Sequence, residues 1–166
     1  MIEQHMARDG EEHLVRANDQ DWIVTWSPPP TAPEGKPHGS AGVCVTSTGE
    51  IVLISANGVD WDLPAGRTEG NETWEQTLHR EMREEACATV VTARLLGFAH
   101  SVCVAGPEVG LALVRSFWRA DVHLDAWEPQ FEITHRRVMP AAEALGHLPP
   151  AFLPIILRAL SEAGVL

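Results

Sequence analysis

At 166 residues and 45 % hydrophobic content, the chain can build one domain with a sizeable core but not two of ordinary size. Its formal charge of −11 argues against a surface that grips nucleic-acid phosphates, and a polyanionic substrate would need a cation to approach it. Of the 12 basic residues only Lys36 is a lysine, so a phosphate clamp would use planar, bidentate guanidinium groups. The first residues, through about His13, are polar and expected to be loose, and Asp21 to Trp26 has strand composition. In a strand, Trp22 and Trp26 face one side, which suits a core or dimer contact better than stacking on a nucleobase, and a homodimer stays open. Pro28, Pro29, Pro30, Pro33 and Pro37 then describe an extended surface connector.

The run Gly42–Thr46, a turn at Gly49, and Ile51–Ile54 read as a hairpin, followed by a short strand at Trp61–Leu63. Pro64-Ala65-Gly66 is expected to take the backbone out of the sheet, leaving the Gly66 carbonyl free to point back toward the next element. That element is a helix over Trp74 to Ala86, capped by Thr73 or Asn71. At about 100° per residue, Glu81, Glu84 and Glu85 share one face within a turn, beside an apolar stripe of Leu78, Met82 and Ala86. Like charges at this spacing repel, and a hard divalent cation would turn the repulsion into coordination. Three carboxylates alone would equally suit a solvated helix of an acidic protein. Arg80, four residues before Glu84, can orient that carboxylate by a charge-assisted hydrogen bond, whereas His79 reads as an ordinary exposed helix residue.

Beyond the helix, Thr89–Ala93 and Leu95–Val104 read as strands interrupted near Arg94 or Gly97, then comes a turn at Ala105–Gly110 and a long strand over Leu111–Val122. This antiparallel pair needs cover on both faces. A loop from Asp125 to Phe131 leads into a strand from about Glu132 to Val138, and Pro140 opens a short helical turn. The final helix, from about Leu153 to Ala163, carries Leu153, Ile156, Leu157 and Leu160 at helical period and can cover the second sheet face. Cys44, Cys87 and Cys103 are odd in incidence and lack metal-site spacing, which predicts reduced structural thiols. With no basic-then-apolar leader and no apolar run long enough to span a bilayer, the expected location is cytoplasmic.

The residues Gly66, Glu72, Arg80, Glu81, Met82, Glu84 and Glu85 stand in the order Gly, five residues, Glu, seven residues, Arg-Glu-apolar-any-Glu-Glu. This stretch, Gly66 to Ala88, resembles the Nudix box, the signature of the Nudix hydrolase superfamily. Cys87 stands where the family has glycine and Ala88 where it has a larger aliphatic residue. Because Ala86 and Ala88 are compatible with continued helix, Cys87 is expected to stay right-handed. The resemblance implies an α+β fold, a Nudix-type α/β/α sandwich with a mixed sheet between the box helix and a C-terminal helix. It divides the chain into an N-terminal strand and Pro-rich connector, 1–38, and a Nudix domain, 39–166.

The resemblance also implies a divalent-metal-dependent hydrolase, using Mg²⁺ or Mn²⁺, that cuts a phosphoanhydride bond of a nucleoside diphosphate linked to another moiety. Glu81, Glu84 and Glu85 would be metal ligands with the Gly66 carbonyl, Arg80 would assist, and Glu72 would be supporting. A further carboxylate often joins such sites, and Glu128 and Glu132 are the candidates. The absence of tyrosine argues against a diadenosine polyphosphate hydrolase. Pro107 lies beyond the position expected in ADP-ribose pyrophosphatases, and no coenzyme A motif appears. A small phosphorylated substrate is expected, with neither nucleic acid nor membrane as partner. Two other readings stand: a Nudix-fold domain that senses a nucleotide without turning it over, and an isoprenoid diphosphate isomerase, which would want a catalytic cysteine in its pocket.

Overall fold

A computed structural model describes residues 5–166. The elements in chain order are β1 (His13–Ala17), β2 (Gln20–Ser27), β3 (Lys36–Val45), β4 (Ile51–Ser55), β5 (Trp61–Asp62), β6 (Ala65–Gly66), α1 (Trp74–Ala86), β7 (Ala88–Ala105), β8 (Ala112–Leu124), β9 (His135–Met139), α2 (Ala141–Ala144) and α3 (Leu153–Glu162). They form one mixed sheet in the order β1-β2-β7-β8-β3-β4-β5, with β6 on β3 and β9 on β4. Only β3 and β8 run parallel. The others pair antiparallel.

Alternation along the central strands sends side chains to two cores. Val43, Val45, Ile51 and Leu53 join a cluster with Ile155, Ile156, Ala159 and Leu160 of α3. Their neighbours Cys44, Val52 and Ile54 join another with Leu78, Met82 and Ala86 of α1. The α/β/α sandwich expected from the sequence is therefore the fold, because each helix presents one apolar stripe and the sheet presents two apolar faces. On α3, Ile155 is buried and Leu153 only partly so, which shifts the stripe from its expected register.

Several local expectations need correction. Of the N-terminal segment expected to be loose, residues 1–4 lie outside the described residues, and the rest is tied down. Ala7 is buried, donates its N–H to the Pro154 carbonyl at 3.0 Å and accepts from Arg158 at 3.1 Å. Trp26 is fully buried against Phe117 and so serves neither a dimer contact nor a nucleobase. The two strands expected between Thr89 and Val104 are one, β7, which bulges between Val90 and Thr92 and again between Leu95 and Gly97 without breaking. Bulges bend a strand while keeping its pairing.

Candidate metal and phosphate site

Helix α1 starts where the sequence places it, because Thr73 and Gln76 form a reciprocal capping box: Gln76 N–H donates to Thr73 Oγ1 at 3.1 Å and Thr73 N–H to Gln76 Oε1 at 2.9 Å. Ser40 anchors the first turn to β3 by donating to the Trp74 carbonyl at 2.7 Å. With Leu78, Met82 and Ala86 buried, the adjacent face carries Glu81, Glu84 and Glu85 along the rim of the sheet.

Arg80 organises that rim. It donates from Nε to Glu72 Oε2 at 2.7 Å and from Nη2 to Glu72 Oε1 at 2.9 Å, a bidentate pair. Its Nη1 reaches Glu81 Oε1 at 2.6 Å and Glu84 Oε2 at 3.1 Å, and Nη2 also donates to the Arg67 carbonyl at 2.7 Å. The expected Arg80–Glu84 bond is therefore one of several, and Glu72 supports the site through Arg80. That pairing holds the Glu72 carboxyl down at about 2.

Glu85 is held differently, accepting the Ala65 N–H at 2.8 Å. Burial nevertheless pushes its carboxyl up to about 7, the Ala65 bond opposing and the Glu81 charge adding to the shift. Burial likewise raises Glu81, against the pull of Arg80. These raised carboxyls are the groups that a cation would settle, and an all-oxygen donor set suits Mg²⁺ or Mn²⁺. Their oxygens do not already converge: among the described residues, the donors gathered within 4.8 Å of one another are those of His5, Glu11 and His13. Arg80 draws Glu81 and Glu84 to one side while Ala65 holds Glu85 on the other.

The structure corrects the expectation for Gly66. Ala65 and Gly66 do not leave the sheet but pair with Ala41 and Ser40 of β3. In an antiparallel ladder the polar groups of successive residues face opposite edges. The Gly66 carbonyl oxygen faces Gly39 on β3, so closely that a Cβ at Gly39 would overlap it. Ala65 turns its N–H the other way, toward Glu85, and its carbonyl shares that edge. Gly66 is required for a different reason: a Cβ there would collide with the Glu81 carboxylate.

The two extra carboxylate candidates separate. Glu132 lines a cleft of about 260 Å³ together with Glu81, Glu84, Glu85, Gln130 and Phe131. Glu128 does not line it, and its carbonyl instead accepts from the Cys87 thiol at 3.4 Å. Cys87 itself departs from expectation. Rather than continuing the helix in the right-handed sense, it caps α1 in the left-handed conformation, with φ 48° and ψ 47°. The reversal lets its N–H close on the Met82 carbonyl and its own carbonyl accept from Asp125 N–H at 2.8 Å and from Arg136 at 3.2 Å.

On the other sheet face, Ala65 also lines a cavity of about 230 Å³ between β2, β8 and α3, with Trp22, His38, Asp62, Arg115 and Ile156. Sequence reasoning missed His38 and Arg115. The signal for Arg115 was present: it alternates with Leu113 and Phe117 on β8, so a guanidinium sits at an inward register. Burial lowers its pKa, and no carboxylate lies within 4.0 Å of it among the described residues. Burial and the charges of Arg115, Arg67 and Lys36 hold His38 down at about 4.

The family model of the NUDIX domain matches residues 36–155. The chain belongs to the NUDIX domain family. The match starts after the N-terminal hairpin, at the first residue of β3, and ends three residues into α3. No curated protein matches the sequence. Among solved structures the chain is similar to a point mutant of the Bacillus subtilis pyrophosphohydrolase BsRppH, at 19 % identity and TM-score 0.70 over 86 % of this chain and 90 % of that one. It is also similar to the NUDIX domain of Shewanella oneidensis NrtR complexed with ADP ribose, at 17 % identity and TM-score 0.60 over 78 % and 88 %. A MutT protein from Methanosarcina mazei Go1 matches at 22 % identity and TM-score 0.54 over 78 % and 97 %. At these identities the likeness is one of fold. No helix among the described residues is long and apolar enough to cross a membrane.

Proposed function

We propose that this NUDIX protein is a divalent-metal-dependent hydrolase that cuts a phosphoanhydride bond of a nucleoside diphosphate linked to another moiety. The observation that carries the reading is the Arg80-ordered rim of Glu81 and Glu84, beside Glu85 and facing Glu132 across one cleft. Glu81, Glu84, Glu85 and the Ala65 carbonyl would hold Mg²⁺ or Mn²⁺. When bound, the metal supplies charge for the phosphate oxygens and lowers the pKa of the attacking water. Arg80 fixes Glu81 at Oε1 and Glu84 at Oε2, which leaves the second oxygen of each to turn toward the metal. The Ala65 N–H does the same for Glu85 at Oε1. In this reading Glu132 accepts the proton of the attacking water from the opposite wall.

The cavity at Ala65 takes the group beyond the diphosphate. Its Trp22 and Phe117 supply apolar cover, and its Arg115 faces the anionic end. Residues 39–166 form the hydrolase unit, and the 1–38 extension contributes Ala17, Trp22 and His38 to the cavity wall. The isomerase alternative loses support, because none of Cys44, Cys87 and Cys103 lines the cleft or the cavity. Turnover with Mg²⁺ over a panel of nucleoside triphosphates, nucleotide sugars and non-nucleoside diphosphates tests the proposal. Binding without release of phosphate or nucleoside monophosphate from any of them would favour the sensing alternative.

A further inference from the structure

The N-terminal arm carries a second donor set that the phosphoanhydride chemistry does not use. Glu11 Oε1 receives two imidazoles: His5 Nε2 lies 2.7 Å away and His13 Nε2 3.0 Å away. The three donor atoms lie within 4.8 Å of one another. Oε1 also accepts the Arg8 N–H at 3.4 Å, and the other Glu11 oxygen faces Arg8 Nε at 3.4 Å, so the loop backbone holds the carboxylate toward the two rings. His13 Nε2 is buried and has no hydrogen-bond partner among the described residues, although Glu11 is close. A buried ring nitrogen without a partner is costly, and a cation would satisfy it. The cluster is partly shielded: the side chains of Glu11 and His13 are 26 % and 16 % exposed, and that of His5 53 %.

We infer that His5, Glu11 and His13 form a binding site for a late first-row divalent cation, Zn²⁺ foremost, that pins the N-terminal arm to β1. Two imidazole nitrogens and one carboxylate oxygen are the donors that Zn²⁺ takes and Mg²⁺ does not, so this site and the all-oxygen rim of α1 select different metals. Donor separations of 2.7 and 3.0 Å are slightly tighter than a cation between them would set, and the exposed His5 ring is free to yield. Each histidine binds through a neutral Nε2, its proton leaving to solvent or residing on Nδ1, and a water completes the shell. The arm already meets α3 at two points, through Ala7 and through Asp9, whose carboxylate pairs with Arg158 at 2.8 Å. The cation adds a third fastening, to β1, and so stiffens the edge of the molecule where α3 closes the cavity.

The test uses the full chain with Mg²⁺ in excess to occupy the α1 carboxylates. Co²⁺ and Zn²⁺ are titrated into wild type, His5→Gln, the double variant His5→Gln/His13→Gln and Glu84→Gln/Glu85→Gln, following the Co²⁺ visible spectrum and the melting temperature. The expected result is one equivalent of Co²⁺ with the intense visible bands of nitrogen ligation at low coordination number, displaced by Zn²⁺, together with a Zn²⁺-dependent rise in melting temperature. His5→Gln, on the exposed arm, removes a ligand and should weaken binding by at least the roughly tenfold that losing a ligand's hydrogen-bond partner costs, and the double variant should abolish the bands. Glu84→Gln/Glu85→Gln should leave them unchanged, so that failure of the hydrolase reading and failure of this one are separable. Absence of the bands in wild type, their persistence in His5→Gln at wild-type affinity, or their loss in Glu84→Gln/Glu85→Gln would each overturn the inference.

Discussion

Arg80 holds Glu72 through two parallel hydrogen bonds, Nε to Oε2 at 2.7 Å and Nη2 to Oε1 at 2.9 Å, while its third nitrogen bonds Glu81 and Glu84. One planar cation thus ties the loop before α1 to the carboxylates on the helix. Lysine keeps the charge but cannot fill four acceptors in one plane. Arg80→Lys should lower turnover by on the order of one charge-assisted hydrogen bond, about 1.5 to 3 kcal/mol, with a smaller loss of stability. Steady-state kinetics beside a thermal melt checks the split, and an unchanged rate constant would reduce Arg80 to a structural role.

The carboxylates should divide by position. Glu84→Gln and Glu85→Gln keep shape and remove charge, so each should abolish most Mg²⁺-dependent hydrolysis, and in metal-free buffer Glu85→Gln should raise the melting temperature by relieving a buried charge. Glu132→Gln should lower turnover by roughly 10²-fold or more, the loss of a proton acceptor. Glu128→Gln should be silent, because that side chain does not line the cleft. Equal effects at 128 and 132 would remove Glu132 from the mechanism.

Cys87 is left-handed, a conformation that costs a non-glycine residue about 1–2 kcal/mol. Cys87→Gly relieves that strain and gives part of the gain back through unfolded-chain entropy, roughly 0.4–1 kcal/mol. Loss of the thiol contact with the Glu128 carbonyl trims it further. A small rise in melting temperature is expected for Cys87→Gly and none for Cys87→Ala, which keeps the strain. A fall for the glycine variant as deep as that for alanine would show that the buried thiol outweighs the backbone.

His38 sets a pH dependence. Its folded pKa of about 4 lies below the ordinary 6.5, so between these values the unfolded chain binds the proton and the folded protein does not. The stability this represents is fully present above pH 6.5 and is lost as pH falls toward 4. His38→Gln should flatten the melting temperature against pH across that window, with no change in the slope at alkaline pH. An unaltered profile would mean that His38 takes up its proton alike in the folded and the unfolded chain.

Short-range interactions made the box helix legible in the sequence. Its cap, its apolar stripe and its carboxylate face depend on residues within a few positions of one another, and the observed Trp74–Ala86 matches the expected span. The two-sided sheet was legible for a similar reason, since alternation along the strands and the helical period of α3 each declare a face to be covered. The same periodicity could not say which partner meets which edge. Pairing of β6 with β3, rather than escape from the sheet, turned the Gly66 carbonyl to Gly39 and gave the Ala65 N–H to Glu85. The path of the chain beyond β8, not any local signal, brought Glu132 to the carboxylates and kept Glu128 away. Cys87 took a left-handed turn because its carbonyl and N–H are claimed by Asp125, Arg136 and Met82, two of them distant in sequence. Residues far apart in the chain decide a ladder edge, a cleft wall and a strained cap, and their meeting exists only once the sheet has assembled.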